Sequence, residues 1–372
     1  MATLLSSASN YRGAGIHQYS ANLLQYLPRQ APQFQYHAFV MDRAYNAPAG
    51  MQLTRPRWLS PSPGQRILWE QTQVGKSARQ LDLLHGLAYA LPIWGNTPSI
   101  VTVHDLTFML FPQAFPSYRR RYLTWMTRNS CQRARAVITD SAATAQDVQR
   151  LLAVPEEKIH VVYTGIDERF RPLPREEVEA YRRQRGWPQQ FILMLGTLEP
   201  RKNHILLIQA YQRYLHQART PLPLLIGGGE GWQFQQIFQS VDAAGLEKDV
   251  KFLGFVPWED MPWLYNAATL FIYPSRYEGF GLPVAEAMRC GTPVITSNVS
   301  SLPEVAGNAA LTIDPNDPEA LAAAMLLLLE KEPERQQIMR EAGLIQAAKF
   351  SWQNTASQTA QVYARVLQEA YG

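Results

Sequence analysis

Cysteine is nearly absent: of 372 residues only Cys131 and Cys290 are cysteines, in unrelated contexts. That excludes a disulfide framework and a thiolate metal site, and makes a reducing, cytoplasmic setting the expectation. No apolar run approaches the roughly 18–20 residues that cross a bilayer. The first residues lack a basic stretch followed by an apolar core, so no secretory leader is expected either. No Asp-x-Asp pair occurs, so a common carboxylate holder for a divalent metal at a diphosphate is missing. Neither G-x-x-x-x-G-K-[ST] nor H-E-x-x-H is present, which removes P-loop ATPase and zinc-hydrolase readings. Charge is modest as well: 18% of residues are charged and the net is +4. That suits anionic small ligands or an anionic membrane surface, but without a clustered motif it is too weak for nucleic acid.

What is present is globular. Hydrophobic residues make up 46% of a chain longer than one core usually supports, so two domains are expected. Apolar runs alternate with helix-period stretches in two series. The first predicts strands at Thr3–Ser7, Gln35–Met41, Leu83–His85, Ser99–Val103, Ala136–Thr139 and Ile159–Val162, with Ser141 capping a helix Ala142–Leu152. A charged helix is predicted over Arg175–Arg185. The second series predicts strands at Phe191–Leu195, Pro223–Ile226, Val250–Leu253, Thr269–Tyr273, Pro293–Thr296 and Ala310–Ile313, then a helix over Trp352–Ala370. Strands alternating with helices imply parallel sheets covered on both faces. The expected architecture is α/β, two doubly wound Rossmann-like domains facing across a cleft, residues 1–172 and 187–350, with 351–372 as a final helix.

Glu278 and Glu286 form the most informative pair. Between them Gly279, Gly281 and Pro283 make a glycine turn into a helix, directly after the apolar strand Thr269–Tyr273. Such a helix start aims free N–H groups and a positive dipole at its ligand, usually phosphate. Two carboxylates flanking a cleft also invite a glycosidase-style acid and nucleophile. A second segment, Phe191 to Asn203, reads as strand, turn and helix start. Gly196 allows close backbone approach, Arg201 and Lys202 bring two cations, and Asn203 is a candidate N-cap. A departing pyrophosphate needs such neutralisation, because it gains charge as its bond breaks.

Weaker signals surround these. The strand Leu224–Ile226 ends in Gly227, Gly228, Gly229 and Gly231, a run that admits a base or phosphate but lacks G-x-G-x-x-G spacing. Phe252–Val256, containing Phe255, can offer backbone groups to a nucleobase edge. Gly13 and Gly15 precede the helix through Tyr19 and Leu27, again where phosphate could sit. His104 and Asp105 close a first-domain strand, where an imidazole could orient a sugar or take a proton. Asp105 could fix its tautomer or cap the next turn. Arg119–Arg128 mixes cations and aromatics, which fits a solvated helix face or contact with a membrane or anionic acceptor.

Together these residues resemble the retaining glycosyltransferases of family 4, which have the GT-B fold. The resemblance spans almost the whole chain. It rests on Gly13–His17, Val103–Leu106, Val137–Ser141, Tyr163–Asp167, Gly196 with Pro200–Asn203, and Glu278 through Glu286. It implies transfer of a sugar from a nucleotide-diphosphate donor with retained anomeric configuration and no required metal, the donor being substrate and not cofactor. By that resemblance the second domain holds the nucleotide, the acceptor docks on the first, and the last helix, with Trp352, braces the first domain. Arg201 and Lys202 would stabilise the leaving diphosphate, Glu286 the ribose, and Glu278 the sugar hydroxyls. Backbone groups of Phe280, Gly281 and Leu282 would face sugar and phosphates, Gly15 would approach the phosphates, and His104 would lie near the reacting carbon. The expected chemistry is a front-face displacement, in which the leaving phosphate helps remove the acceptor proton.

Similarity to bacterial mannosyltransferases of this family points to GDP-mannose, ahead of UDP-glucose. The expected partners are that donor and a carbohydrate or lipid-linked acceptor, with peripheral contact at the inner membrane face. A nucleotide-sugar epimerase, a sugar phosphorylase of the same fold, and a non-catalytic nucleotide-sugar-binding subunit are the alternatives.

Overall fold

The computed structural model describes residues 2–3, 15–41, 45–56 and 63–372. The chain divides into two units, Met1–Gly165 with Ser351–Gly372, and Ile166–Phe350. The first division therefore falls earlier than the expected end at 172, because the side chains of Ile166 and Phe170 belong to the second unit's core. The described strands of the first unit are β1 Ala2–Thr3, β2 Tyr36–Val40, β3 Met51–Thr54, β4 Leu84–Gly86, β5 Ser99–Val103, β6 Ala136–Thr139 and β7 Ile159–Val161. They form one parallel sheet in the order β3-β2-β1-β4-β5-β6-β7. Most of the predicted strand Thr3–Ser7, and Gly13 of the first glycine motif, lie outside the described residues.

Helices cover both faces of this sheet, which explains why its inner strands read as continuous apolar runs. Successive side chains point to opposite faces. Ile100 and Ile138 meet Leu23, Leu24, Trp352 and Val366, which belong to the helices Gly15–Gln30 and Trp352–Tyr371. Val101, Val103 and Val137 meet Trp69, Val148 and Leu152 on the other side. The final helix is anchored at its start. Ser351 caps it through Asn354 N–H at 3.2 Å, and Thr355 Oγ1 donates to Tyr163 O at 2.7 Å. Ser141 caps Ala142–Leu152 as expected, accepting from Thr144 N–H at 3.0 Å. Strand β3 was not predicted: it is a short edge strand whose residues are only half-buried or exposed.

In the second unit the strands are β8 Ile192–Leu195, β9 Leu224–Gly227, β10 Val250–Gly254, β11 Leu270–Tyr273, β12 Val294–Ser297 and β13 Leu311–Ile313. All pair parallel, in the order β10-β9-β8-β11-β12-β13. From β8 the chain winds outward through β9 and β10, then returns to β11 and winds the other way. The reversal leaves a switch point between β8 and β11, where open α/β sheets bind ligands beyond the strands' C-terminal ends.

Candidate active site

The loops that leave β8, β9, β11 and β12 at this end are tied to one another. Gly196 N–H donates to Gly227 O at 2.9 Å, Gly228 N–H to Gly254 O at 2.8 Å, and Arg276 N–H to Arg201 O at 2.9 Å. Ser301 Oγ donates to Glu278 O at 2.9 Å and to Phe280 O at 2.7 Å. Asn203 does not cap its helix through its side chain, contrary to expectation. It sits at φ 65°, and its amide instead donates to Pro274 O at 3.1 Å and Pro315 O at 2.7 Å. The residue is a strut between loops because two buried carbonyls lie within its reach.

Arg201 and Lys202 come together with Glu278 across the switch point. Lys202 Nζ lies 2.7 Å from Glu278 Oε1, and Arg201 Nη1 lies 3.0 Å from Glu278 Oε2. Glu199 takes the other side of the guanidinium at 2.6 Å. Glu278 Oε1 also accepts from Ser275 Oγ at 2.6 Å and Tyr273 Oη at 3.0 Å. Burial works to raise the Glu278 pKa, but the Arg201 and Lys202 charges win and hold it at about 2. The stability it supplies is therefore complete above about pH 4.5 and fades as pH falls toward 2. Burial, then Arg201, pushes the Lys202 ammonium below its usual range against the pull of Glu278. Two cations thus face two carboxylates, Glu199 and Glu278, and the charge of the cluster is balanced.

Glu286 stands in a different environment and among the described residues shares no hydrogen-bond partner with Glu278. It belongs to the helix Leu282–Arg289, which opens at Gly281 (φ 104°) with Pro283 in its first turn, as predicted. Tyr265 Oη donates to Glu286 Oε2 at 3.1 Å. Burial foremost, and the Asp167 carboxylate, push its pKa up to about 8. A raised carboxyl stabilises the fold fully below about pH 4.5 and loses that contribution as pH rises through about 8. A ligand hydroxyl donating to Glu286 favours the ionised form, so binding should release a proton. Affinity for a ligand that places such a hydroxyl on Glu286 is expected to rise between about pH 6 and 8, by up to roughly tenfold per unit, and then level off. Titration calorimetry checks this, with Glu286→Gln expected to flatten the profile; a flat wild-type profile would remove Glu286 from the ligand.

The remaining donor candidates are placed as follows. Phe255 is 69% exposed, and its ring borders the glycine loop, 3.9 Å from the position of a Cβ on Gly229. Phe280 is buried and packs edge-on against Phe350, and its carbonyl accepts from Ser301 Oγ at 2.7 Å. Leu282 is half-buried at the start of its helix, and Gly15 is exposed at the start of the helix Gly15–Gln30 in the first unit.

His104 follows β5 in the first unit, buried. Its partner is not the adjacent Asp105, which accepts from Thr107 N–H at 2.8 Å and so caps the next turn. The partner is Asp140, with Oδ2 2.6 Å from His104 Nδ1, while Nε2 donates to Leu87 O at 2.8 Å. Burial lowers the His104 pKa, but Asp140 outweighs it and the net shift is upward. Acceptors at both nitrogens and the upward shift both favour the protonated ring. Of the two roles considered for it, this arrangement suits orienting a ligand better than taking a proton.

Comparison with known proteins identifies the class. The profile "Glycosyltransferase Family 4" matches residues 13–170, and "Glycosyl transferases group 1" matches 177–344. The O-antigen chain mannosyltransferase B of Escherichia coli is 39% identical over 76% of this chain and 74% of its own. The serotype-specific mannosyltransferase WbdA of Escherichia coli is 31% identical over 74% of this chain, which spans only 34% of WbdA. Among solved structures, sucrose-phosphate synthase from Thermosynechococcus elongatus matches with a TM-score of 0.77 at 22% identity, over 99% of both chains. Fold and site define a GT-B glycosyltransferase built of two Rossmann-like domains. The chain belongs to glycosyltransferase family 4.

No helix among the described residues is long and apolar enough to cross a membrane.

Proposed function

We propose that the chain transfers mannose from GDP-mannose to a glycan, glycolipid or small acceptor, with retained anomeric configuration and without a divalent metal. The observation that carries the reading is the cluster of Arg201, Lys202 and Glu278 at the β8–β11 switch point. Its cations would hold the diphosphate as the sugar's C1–O bond breaks and negative charge builds on the departing oxygen. The acceptor oxygen would bond to C1 from the same face, its proton passing to an oxygen of the leaving phosphate. Glu286 would hold the ribose, and Glu278, locked by both cations, would orient them and the sugar hydroxyls. The choice of mannose and GDP rests on the likeness to the mannosyltransferase of Escherichia coli. The helix Ser117–Arg133 carries exposed Tyr118, Arg119, Arg121 and Trp125, the residue types that meet an anionic membrane bearing a lipid-linked acceptor.

Thermal-shift screening of GDP, UDP and ADP tests the donor directly. At about a hundred times Kd a ligand adds roughly 2.7 kcal/mol to stability, so GDP should raise the melting temperature clearly. A shift by UDP or ADP alone would replace GDP as the donor nucleotide. No shift with any of them would contradict the site.

A further inference from the structure

We infer that Tyr273 is a positioning residue for sugar transfer, its buried hydroxyl aiming the ammonium of Lys202 at the leaving diphosphate. The inference rests on the donor reading above and adds to it a residue that reads, in sequence, as one more aromatic in a buried strand. Tyr273 is the last residue of β11, beside the switch point, and is wholly buried.

Its hydroxyl completes a closed triangle. Tyr273 Oη is 2.5 Å from Lys202 Nζ and 3.0 Å from Glu278 Oε1, and those two atoms are 2.7 Å apart. The proton directions follow from chemistry. An ionised carboxylate only accepts and an ammonium only donates, so the phenol donates to Glu278 and accepts from Lys202. Lys202 has three N–H bonds. One goes to Tyr273 and one to Glu278, and among the described residues the third has no protein partner. Two fixed bonds on a tetrahedral nitrogen set the direction of the third. Without the hydroxyl, Lys202 would turn about its single bond to Glu278 on a flexible four-carbon stem.

A role in packing alone does not account for the hydroxyl. The ring stacks near Phe271, with centroids 5.9 Å apart at 17°, and Lys202 Nζ lies 5.1 Å from its centroid. Phenylalanine would preserve both contacts. Gly196, at the mouth of β8, leaves room for this ring: a Cβ there would stand 3.4 Å from Tyr273 Cε2. Polar assembly and backbone approach thus meet at one residue.

The test compares Tyr273→Phe, Lys202→Ala and the double variant. Two readouts are used: the affinity of GDP relative to GMP by calorimetry, with UDP and UMP in parallel, and steady-state turnover of GDP-mannose. The wild type should favour the diphosphate at least about tenfold, and Lys202→Ala should abolish most of that preference. Tyr273→Phe should reduce the preference about three- to tenfold and kcat about 10- to 100-fold, with KM within about threefold and an unchanged melt. The double variant should be no worse than Lys202→Ala, since a residue acting only through Lys202 has nothing to add once it is gone. Additive losses, or a Tyr273→Phe enzyme with normal preference and kcat beside an impaired Lys202→Ala, would overturn the inference and leave the donor reading standing. Retained diphosphate preference in Lys202→Ala would overturn both.

Discussion

Lys202→Ala should lower turnover by on the order of 100- to 1000-fold, the usual cost of removing one preorganised donor to developing charge. The expectation follows from where the ammonium sits. It is buried, bonded to Glu278 at 2.7 Å and to Tyr273 at 2.5 Å, so under the proposed function its charge would meet the diphosphate in a low-dielectric site where each contact counts for more than in water. The fold should survive, because Glu278 keeps Arg201 and Ser275 as partners at 3.0 Å and 2.6 Å. Saturating-donor rates together with a circular dichroism melt check both halves of the prediction. A variant with near-normal kcat would show that Lys202 is only structural.

Gly228→Ala should be the most damaging single methyl in the second domain. Gly228 sits at φ +155°, and a Cβ there would lie 1.9 Å from Gly196 O and 2.6 Å from Gly196 C. The obstacle is backbone, which cannot rotate away. The loops after β8 and β9 must separate or the hydrogen bond from Gly228 N–H to Gly254 O at 2.8 Å must break. We expect a loss of about 3 kcal/mol or more, at the upper end for overpacking combined with backbone strain, and a fall in nucleotide affinity beyond it. Gly229→Ala is the matched control. Its Cβ would meet only Phe255, at 3.9 Å, so stability should hardly change. Denaturant midpoints for the two variants decide the matter, and equal midpoints would refute the loop-contact account.

Much of this arrangement was legible in the sequence, for a physical reason. Strands buried on both faces must be apolar throughout, so β5 and β6 declare themselves at their observed bounds, Ser99–Val103 and Ala136–Thr139. Strand β3 escapes because an edge strand has little apolar surface to hide. The sequence singled out the Arg201–Lys202 pair and Glu278 as charges next to glycine turns at strand ends, and the fold brings the three together. Their partner Tyr273 was not singled out, since a tyrosine after Phe271 and Ile272 looks like core. His104 illustrates a further limit. Sequence adjacency offered Asp105, but parallel register pairs Val103 with Thr139, and the next residues along each strand, His104 and Asp140, therefore meet. Register belongs to the fold, and no local pattern states it. The upward shift of Glu286 is hidden in the same way, because it depends on burial and on Asp167, far away in the chain.

The most direct test of the account is the anomeric configuration of the product formed from GDP-mannose in the presence of EDTA, read by proton NMR during turnover. The α-configured donor should give an α-mannoside, at a rate unaffected by the chelator, with GDP released in step. A β-mannoside, or turnover that stops until a divalent metal is restored, would contradict a diphosphate departure driven by Arg201 and Lys202 on the same face as the incoming acceptor.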